Sequence, residues 1–189
     1  MKPRLITFLF TLLILSCFNA KGQYREIGFA SSASMGIMYG PVLDARPVVK
    51  WGKSINSVRT FRVDRTYMNY NSYQGQVYWN LSSGIFLGQE WRKPVNDKLY
   101  FLHGPETGGY FNAGANYMSI TPSVRYQLGV LYKAGEHLNI GLATPLSFST
   151  TFGKSNGEWN QSGMSLGFFS ETNYLILTYN FEKSSKGLD

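Results

Sequence analysis

The sequence has almost no cysteine, since Cys17 is the single residue of this type among 189. Cys17 lies in an N-terminal apolar stretch that we expect to be removed on export. The mature chain would then contain no disulfide, no thiolate metal ligand and no thiol nucleophile. Because Ile14-Leu15-Ser16 precedes the cysteine, lipoprotein processing at Cys17 stays an alternative, although Leu15 is large for such a signal.

Long apolar runs are equally scarce. The longest, Leu5 to Phe18, has 14 residues, which is too short for a helix that spans a bilayer and needs about 20. Lys2 and Arg4 precede it, and Ala20-Lys21-Gly22 places small residues at the two positions that a signal peptidase reads. These features predict a cleaved secretory signal peptide over residues 1–22. Since no later segment approaches 18 apolar residues in a row, we expect no helical membrane anchor.

Clusters of one charge and catalytic motifs are also missing. The formal charge of +7 falls to +4 when Lys2, Arg4 and Lys21 are removed with the signal peptide. No run of Lys and Arg remains, so we expect no nucleic-acid partner. The sequence contains no His-Glu-x-x-His motif, phosphate loop or Gly-x-Ser-x-Gly motif. We therefore expect no metal and no cofactor.

The mature chain is instead rich in alternating segments, of which the clearest is Ser123 to Phe152, two arms joined by the turn Ala134–His137. One face carries large apolar residues: Val124, Tyr126, Leu128, Val130, Tyr132, Leu138, Ile140, Leu142, Leu146, Phe148 and Phe152. Small and polar residues occupy the other face, with Leu131 as the exception. A period of two predicts strands, and these arms exceed the five or six residues typical of soluble strands. The pattern predicts a hairpin of a membrane β-barrel.

Turn chemistry divides the rest of the chain. Tight turns are predicted at Lys53–Asn56, Pro94–Lys98 and Ala134–His137; polar loops at Met68–Gly75, Asn112–Asn116 and Gly153–Asn160; and a linker over residues 40–47. Tight turns and longer connections alternate, which predicts eight strands with both termini on the side of the tight turns. We interpret Glu171–Asn173 as a bulge in the eighth strand, and a turn at these residues stays the alternative.

Composition agrees with a barrel. Aromatic residues make up 16% of the chain, and there are 20 glycines. Aromatic side chains form girdles at the two interfaces of a membrane barrel, and glycines occur where strands crowd or bend.

The pattern resembles the small eight-stranded outer-membrane barrels of the OmpA/OmpX type and the porin-like outer-membrane β-barrel proteins of Gram-negative bacteria. The resemblance rests on residues 84–98, on the hairpin described above and on residues 174–181. It implies an all-β fold, an eight-stranded antiparallel up-and-down transmembrane β-barrel over residues 23–182 in the bacterial outer membrane. Many such barrels end on their final aromatic residue, whereas here a tail, residues 183–189, lies beyond Phe181.

If the apolar parity faces lipid, seven charged residues point into the barrel: Glu26, Lys50, Arg62, Asp64, Glu90, Glu106 and Arg125. A buried charge is costly unless it is paired and hydrogen-bonded, and both signs are present in near balance. We therefore predict a polar network that fills the lumen, because eight strands enclose an interior that side chains just fill. A narrow ion path stays the alternative.

An enzyme would need a base beside a nucleophile, and the candidate bases are His103 and His137. Neither forms a short His-x-Ser pair, and His137 falls at a tight turn. We expect a non-enzymatic, monomeric barrel with a structural or surface-interaction role, in contact with outer-membrane lipid and an unidentified surface protein or ligand. A narrow pore or transport barrel, a lipid-modifying outer-membrane enzyme and a soluble exported β-sandwich are the alternatives.

Overall fold

Alternating residues form long antiparallel strands throughout the computed structural model, which describes residues 24–36, 40–73, 76–115, 117–155, 158–168 and 174–181. The strands are β1 (Tyr24–Gly36), β2 (Gly40–Ser54), β3 (Ser57–Tyr73), β4 (Gln76–Pro94), β5 (Leu99–Gly114), β6 (Met118–Lys133), β7 (Leu138–Ser155), β8 (Glu158–Phe168) and β9 (Tyr174–Asn180). Among these residues no helix is long and apolar enough to cross a bilayer. The predicted signal peptide (1–22), the C-terminal tail (183–189) and Glu171–Asn173 lie outside the described residues.

The strands close into a ring. Each of β1 to β7 pairs with the next strand, and β9 pairs with both β7 and β1. Strand β8 lies on the same edge of β7 as β9, since Phe168 pairs with Leu146 and Tyr174 pairs with Ala143. Strands β8 and β9 therefore share the eighth position of the ring, where the chain has three more residues than the facing stretch of β7. The predicted all-β ring of eight antiparallel strands is confirmed.

The three tight turns lie at one end of the ring, which we call the turn side; the opposite end is the ribbon side. At the second turn the Asn96 side-chain oxygen accepts hydrogen bonds from the backbone amides of Lys98 and Leu99, at 2.9 and 2.8 Å. At the third turn the backbone amide of Asn180 donates to the carbonyl oxygen of His137 at 2.7 Å. The described chain therefore begins and ends on the turn side.

The predicted linker over residues 40–47 is wrong, because these residues belong to β2 and pair with β1. Pro47 lies opposite Phe29, and Pro41 lies opposite Met35. Within the described residues, pairing of β2 with β3 starts only at Val48. Both prolines therefore lie where β2 is an edge strand, and proline is tolerated there because no ladder donor is lost.

The predicted polar loops on the ribbon side are also wrong over most of their length. Strands β3 and β4 stay paired to Tyr73 opposite Gln76, β5 continues to Gly114, and residues 156–157 alone separate β7 from β8. Pairing continues there although Asn, Ser and Gly are frequent in these segments. A strand with both faces in water can keep its backbone ladder without an apolar face, so its sequence is typical of a loop.

The two faces of the ring differ in chemistry. Apolar side chains are exposed on the outside: Phe29, Ile85, Leu87, Trp91, Phe101, Val124, Tyr126, Val130, Tyr132, Leu138, Ile140, Leu142, Phe148, Leu175, Leu177 and Tyr179. Charged and polar side chains of the opposite parity are buried inside. Leu131, the apolar exception on the inner parity, is buried with Leu102 and Tyr100.

Candidate functional site

The structure places all seven predicted charged residues inside the ring, each with at most 7% of its surface exposed. They lie there because each has the inward parity of a β-strand whose other parity is apolar. The registers of the ring bring them together in two groups. We call these the turn-side cluster and the ribbon-side cluster.

The turn-side cluster consists of Glu26, Lys50, Glu90 and Arg92. Two guanidinium nitrogens of Arg92 donate to the two carboxylate oxygens of Glu26, at 2.9 and 3.0 Å. Arg92 Nε donates to Glu90 at 2.6 Å, and Lys50 Nζ donates to the other oxygen of Glu90 at 2.8 Å. The cluster is neutral, and one arginine bridges its two carboxylates.

Neutral side chains complete the coordination of Glu26. Asn139 Nδ2 donates to Glu26 at 2.6 Å, and Thr178 Oγ1 donates to it at 3.1 Å. The Tyr24 hydroxyl donates to Glu26 as well. These donors come from β7, β9 and β1, so Glu26 links the strands on both sides of the closure of the ring.

The ribbon-side cluster surrounds Asp64 and Glu106. Arg46 Nη1 lies 3.2 Å from Asp64 Oδ1, and Arg125 Nη1 lies 3.2 Å from Asp64 Oδ2. Arg62 Nε lies 3.3 Å from Asp64 Oδ1. Arg62 Nη2 donates to Glu106 at 2.6 Å. Among the described side chains, three arginines thus face these two carboxylates.

Aromatic rings fill the space between the arginines of the ribbon-side cluster. The Arg125 guanidinium lies 3.8 Å from the centre of the Phe86 ring, and that of Arg62 lies 4.1 Å from the Tyr174 ring. Both rings are 0% exposed, so no water-sized void touches either of them. A cation above an aromatic ring is stabilised by electrostatic attraction to the face of that ring. At this level buried side chains occupy the interior of the ring.

Two members of the clusters were missing from the predicted set, Arg46 and Arg92, which are 3% and 2% exposed. Arg92 lies two residues after Glu90 and shares its parity, so the sequence contained the signal. Arg46 was missed because it fell in the predicted linker.

The two histidines lie outside both clusters. His103 is on the outer face, where its ring is 5.5 Å from that of Trp91 and its Nδ1 is 2.8 Å from the Tyr126 hydroxyl. His137 stacks on Tyr179 at 5.3 Å, and its Nδ1 lies 3.0 Å from the carbonyl oxygen of Asn180. Within the described ranges no group of three or more His, Cys, Asp or Glu side chains is placed to hold a metal ion.

No protein-family model matches the sequence, and no curated protein matches it. Among solved structures the chain is similar to Ail, the attachment invasion locus protein of Yersinia pestis. The identity is 14% and the TM-score is 0.36, over 84% of this chain and 97% of that one. The ring of eight strands is established by the strand registers themselves.

An apolar outer face around a charged interior is the reverse of a soluble protein. A closed ring satisfies the backbone hydrogen bonds between its strands, which is the condition for crossing lipid with β-strands. Outward apolar residues, inward polar residues and short turns at the end of the termini are the features of outer-membrane barrels. The chain therefore forms an eight-stranded β-barrel of the outer-membrane type.

Proposed function

We propose that the protein is a non-enzymatic barrel of the bacterial outer membrane with a structural or surface-interaction role, exported through a cleaved signal peptide. The observation that supports this most strongly is the burial of the interior side chains. Two ion-pair clusters and the rings of Phe86 and Tyr174 occupy the lumen, and their side chains have almost no exposed surface. A barrel filled in this way can anchor a surface structure in lipid, but it has no room for a wide pore.

The β3–β4 ribbon, residues 67–73 and 76–82, supports a role in surface interaction. It extends on the ribbon side, opposite the described termini, and bears exposed apolar side chains. Met68 is 69% exposed and Tyr70 is 67% exposed. Exposed apolar groups rimmed by polar residues are typical of protein contact sites. The proposed partners are therefore outer-membrane lipid around the barrel and a surface protein or ligand at the ribbon, with the barrel itself a monomer.

The surroundings of the histidines support a non-catalytic role. A base must reach a nucleophile or a substrate proton to act in catalysis. The Nδ1 contacts described above are with a tyrosine hydroxyl and a backbone carbonyl, both of which hold the ring in place.

Conductance separates this proposal from a narrow pore. The mature protein, added to planar bilayers, should give no steady channel, because the lumen is occupied. Arg125→Gln alters the ribbon-side cluster, and Lys93→Gln is the control, since Lys93 is an exposed residue outside the lumen.

Stable, salt-dependent steps from the parent that disappear in Arg125→Gln and persist in Lys93→Gln would refute the filled lumen.

A further inference from the structure

A groove runs along the outer face of β5, between β4 and β6. Its part nearer the ribbon side has a volume of about 640 Å³ and is lined by residues that include Ile85, Leu87, Thr107 and Gly109. Its part nearer the turn side has a volume of about 360 Å³, is also lined by Leu87 and Thr107, and extends to Arg59. The two parts form one continuous groove on the outer face, which we call the β5 groove.

Small side chains on β5 create the groove. The outward residues at its floor are Thr107 and Gly109, whereas Leu87 on β4 and Val124 on β6 are 52% and 58% exposed and form its walls. A Cβ atom on Gly109 would lie 2.7 Å from the carbonyl oxygen of Thr121. The close approach of β5 and β6 therefore requires glycine at this position, and the floor stays low.

The turn-side end of the groove carries a positive charge. Arg59 is exposed and pairs in the ladder with Gln89 and Trp51. In the described part of the chain no carboxylate forms a salt bridge with it. Arginine on the lipid face costs about 2–4 kcal/mol at the bilayer midplane and about 0–1 near the interface. Arg59 is the third residue of β3 after a tight turn, so it lies near the turn-side end of the outer face.

We propose that the β5 groove binds an acyl chain of an anionic phospholipid of the periplasmic leaflet, whose phosphate contacts the Arg59 guanidinium. An apolar channel with a cation at its interfacial end is complementary to such a lipid in both shape and charge. Lipids bind basic pockets on membrane proteins through the same two contributions. The inference rests on the proposed function, because it requires the barrel to span a bilayer.

The test is native mass spectrometry of the mature protein released from nanodiscs that contain phosphatidylcholine and phosphatidylglycerol in equal parts. The parent should retain phosphatidylglycerol in preference to phosphatidylcholine. Arg59→Gln should lower that preference about fivefold, the effect of one basic residue near an anionic surface. Thr107→Phe should reduce retention of both lipids, because the larger side chain fills the groove.

Two control variants match these changes elsewhere on the outer face. Lys93→Gln removes another exposed cation on the turn side, and Val130→Phe adds the same aromatic ring at an exposed position of β6 outside the groove. Both should retain lipid as the parent does. The gel mobility of each variant with and without boiling checks that it is folded.

Several outcomes would overturn the site. An unchanged lipid preference in Arg59→Gln would exclude the phosphate contact, and unchanged retention in folded Thr107→Phe would exclude the groove. A retained second copy of the protein instead of lipid would make the groove a dimer interface. Failure of the parent to enter nanodiscs would overturn the proposed function itself, and this result is distinct from insertion without lipid preference.

Discussion

Arg92 has a central place among the interior residues, because its guanidinium contacts both carboxylates of the turn-side cluster. Its bonds to Glu26 and Glu90 are between 2.6 and 3.0 Å long. Hydrogen bonds between an arginine and carboxylates are stronger than neutral ones and fix both partners in orientation. Removal of Arg92 would leave Lys50, among the described side chains of this cluster, as the cation beside two buried acids.

We therefore predict that Arg92→Leu destabilises the folded barrel by roughly 3–5 kcal/mol, because breaking a buried pair leaves an uncompensated charge. Urea unfolding of the protein in lipid vesicles measures this loss. The neighbouring Lys93→Leu, an exposed position, should change the free energy of unfolding by no more than about 0.5 kcal/mol. Equal stability of the two variants would show that the turn-side cluster does not hold the barrel together.

Parity predicted the inward face of seven charged residues, but not that of Arg46, which fell in the predicted linker. Arg125 lies between the large apolar residues Val124 and Tyr126, and this local pattern fixes the face of a strand. The partners of these charges could not be predicted in the same way. Arg92 meets Glu26 across 66 positions of sequence, and only the closure of the ring brings β4 and β1 close enough for that contact.

Strand β7 shows why the outer face of the ring is apolar. Leu142 lies in β7 with 56% of its surface exposed, between the exposed residues Ile140 and Leu175 of the same lipid-facing layer. An apolar side chain exposed to this degree, with apolar neighbours on the adjacent strand, is expected where the surroundings are hydrocarbon instead of water. Leu142 is the fifth of the 18 residues of β7, counted from the turn side.

Leu142→Arg should accordingly reduce the stability of the barrel in vesicles, by at most roughly 2–4 kcal/mol, the largest cost of an arginine on the lipid face. Tyr70→Arg serves as the control for depth, since Tyr70 is in the β3–β4 ribbon and is 67% exposed. That substitution should have almost no effect. If Leu142→Arg folds into bilayers as well as Tyr70→Arg does, the outward parity of β7 does not face lipid.

The ends of the strands were harder to predict than their faces. The register of β3 and β4 shifts at the bulge between Asp64 and Tyr67, where polar residues become frequent in β3, yet the two strands stay paired to Tyr73 and Gln76. Prolines in residues 40–47 gave a second false signal, because the sequence does not show that β2 is an edge strand there. The β5 groove was not predicted, since its shape depends on the registers of three strands.

The number of strands, by contrast, could be predicted from the order of turns along the whole chain. Alternation of tight turns with longer connections required an even number of ring positions, and the eighth position holds both β8 and β9. Phe168 of β8 faces Leu146, and Tyr174 of β9 faces Ala143. Closure needs only β9, which pairs with β1 and β7 and completes the ring.

Closure of this ring in lipid is the central claim, and the most direct measurement is electrophoretic mobility. Purified mature protein is mixed with phospholipid vesicles, and samples with and without boiling are run side by side on a denaturing gel. A closed barrel whose strands are all paired should resist the detergent until it is heated, so the two bands should differ, and carbonate washing should leave the protein in the vesicles. Identical mobility, together with release of the protein by carbonate, would contradict a membrane-spanning barrel.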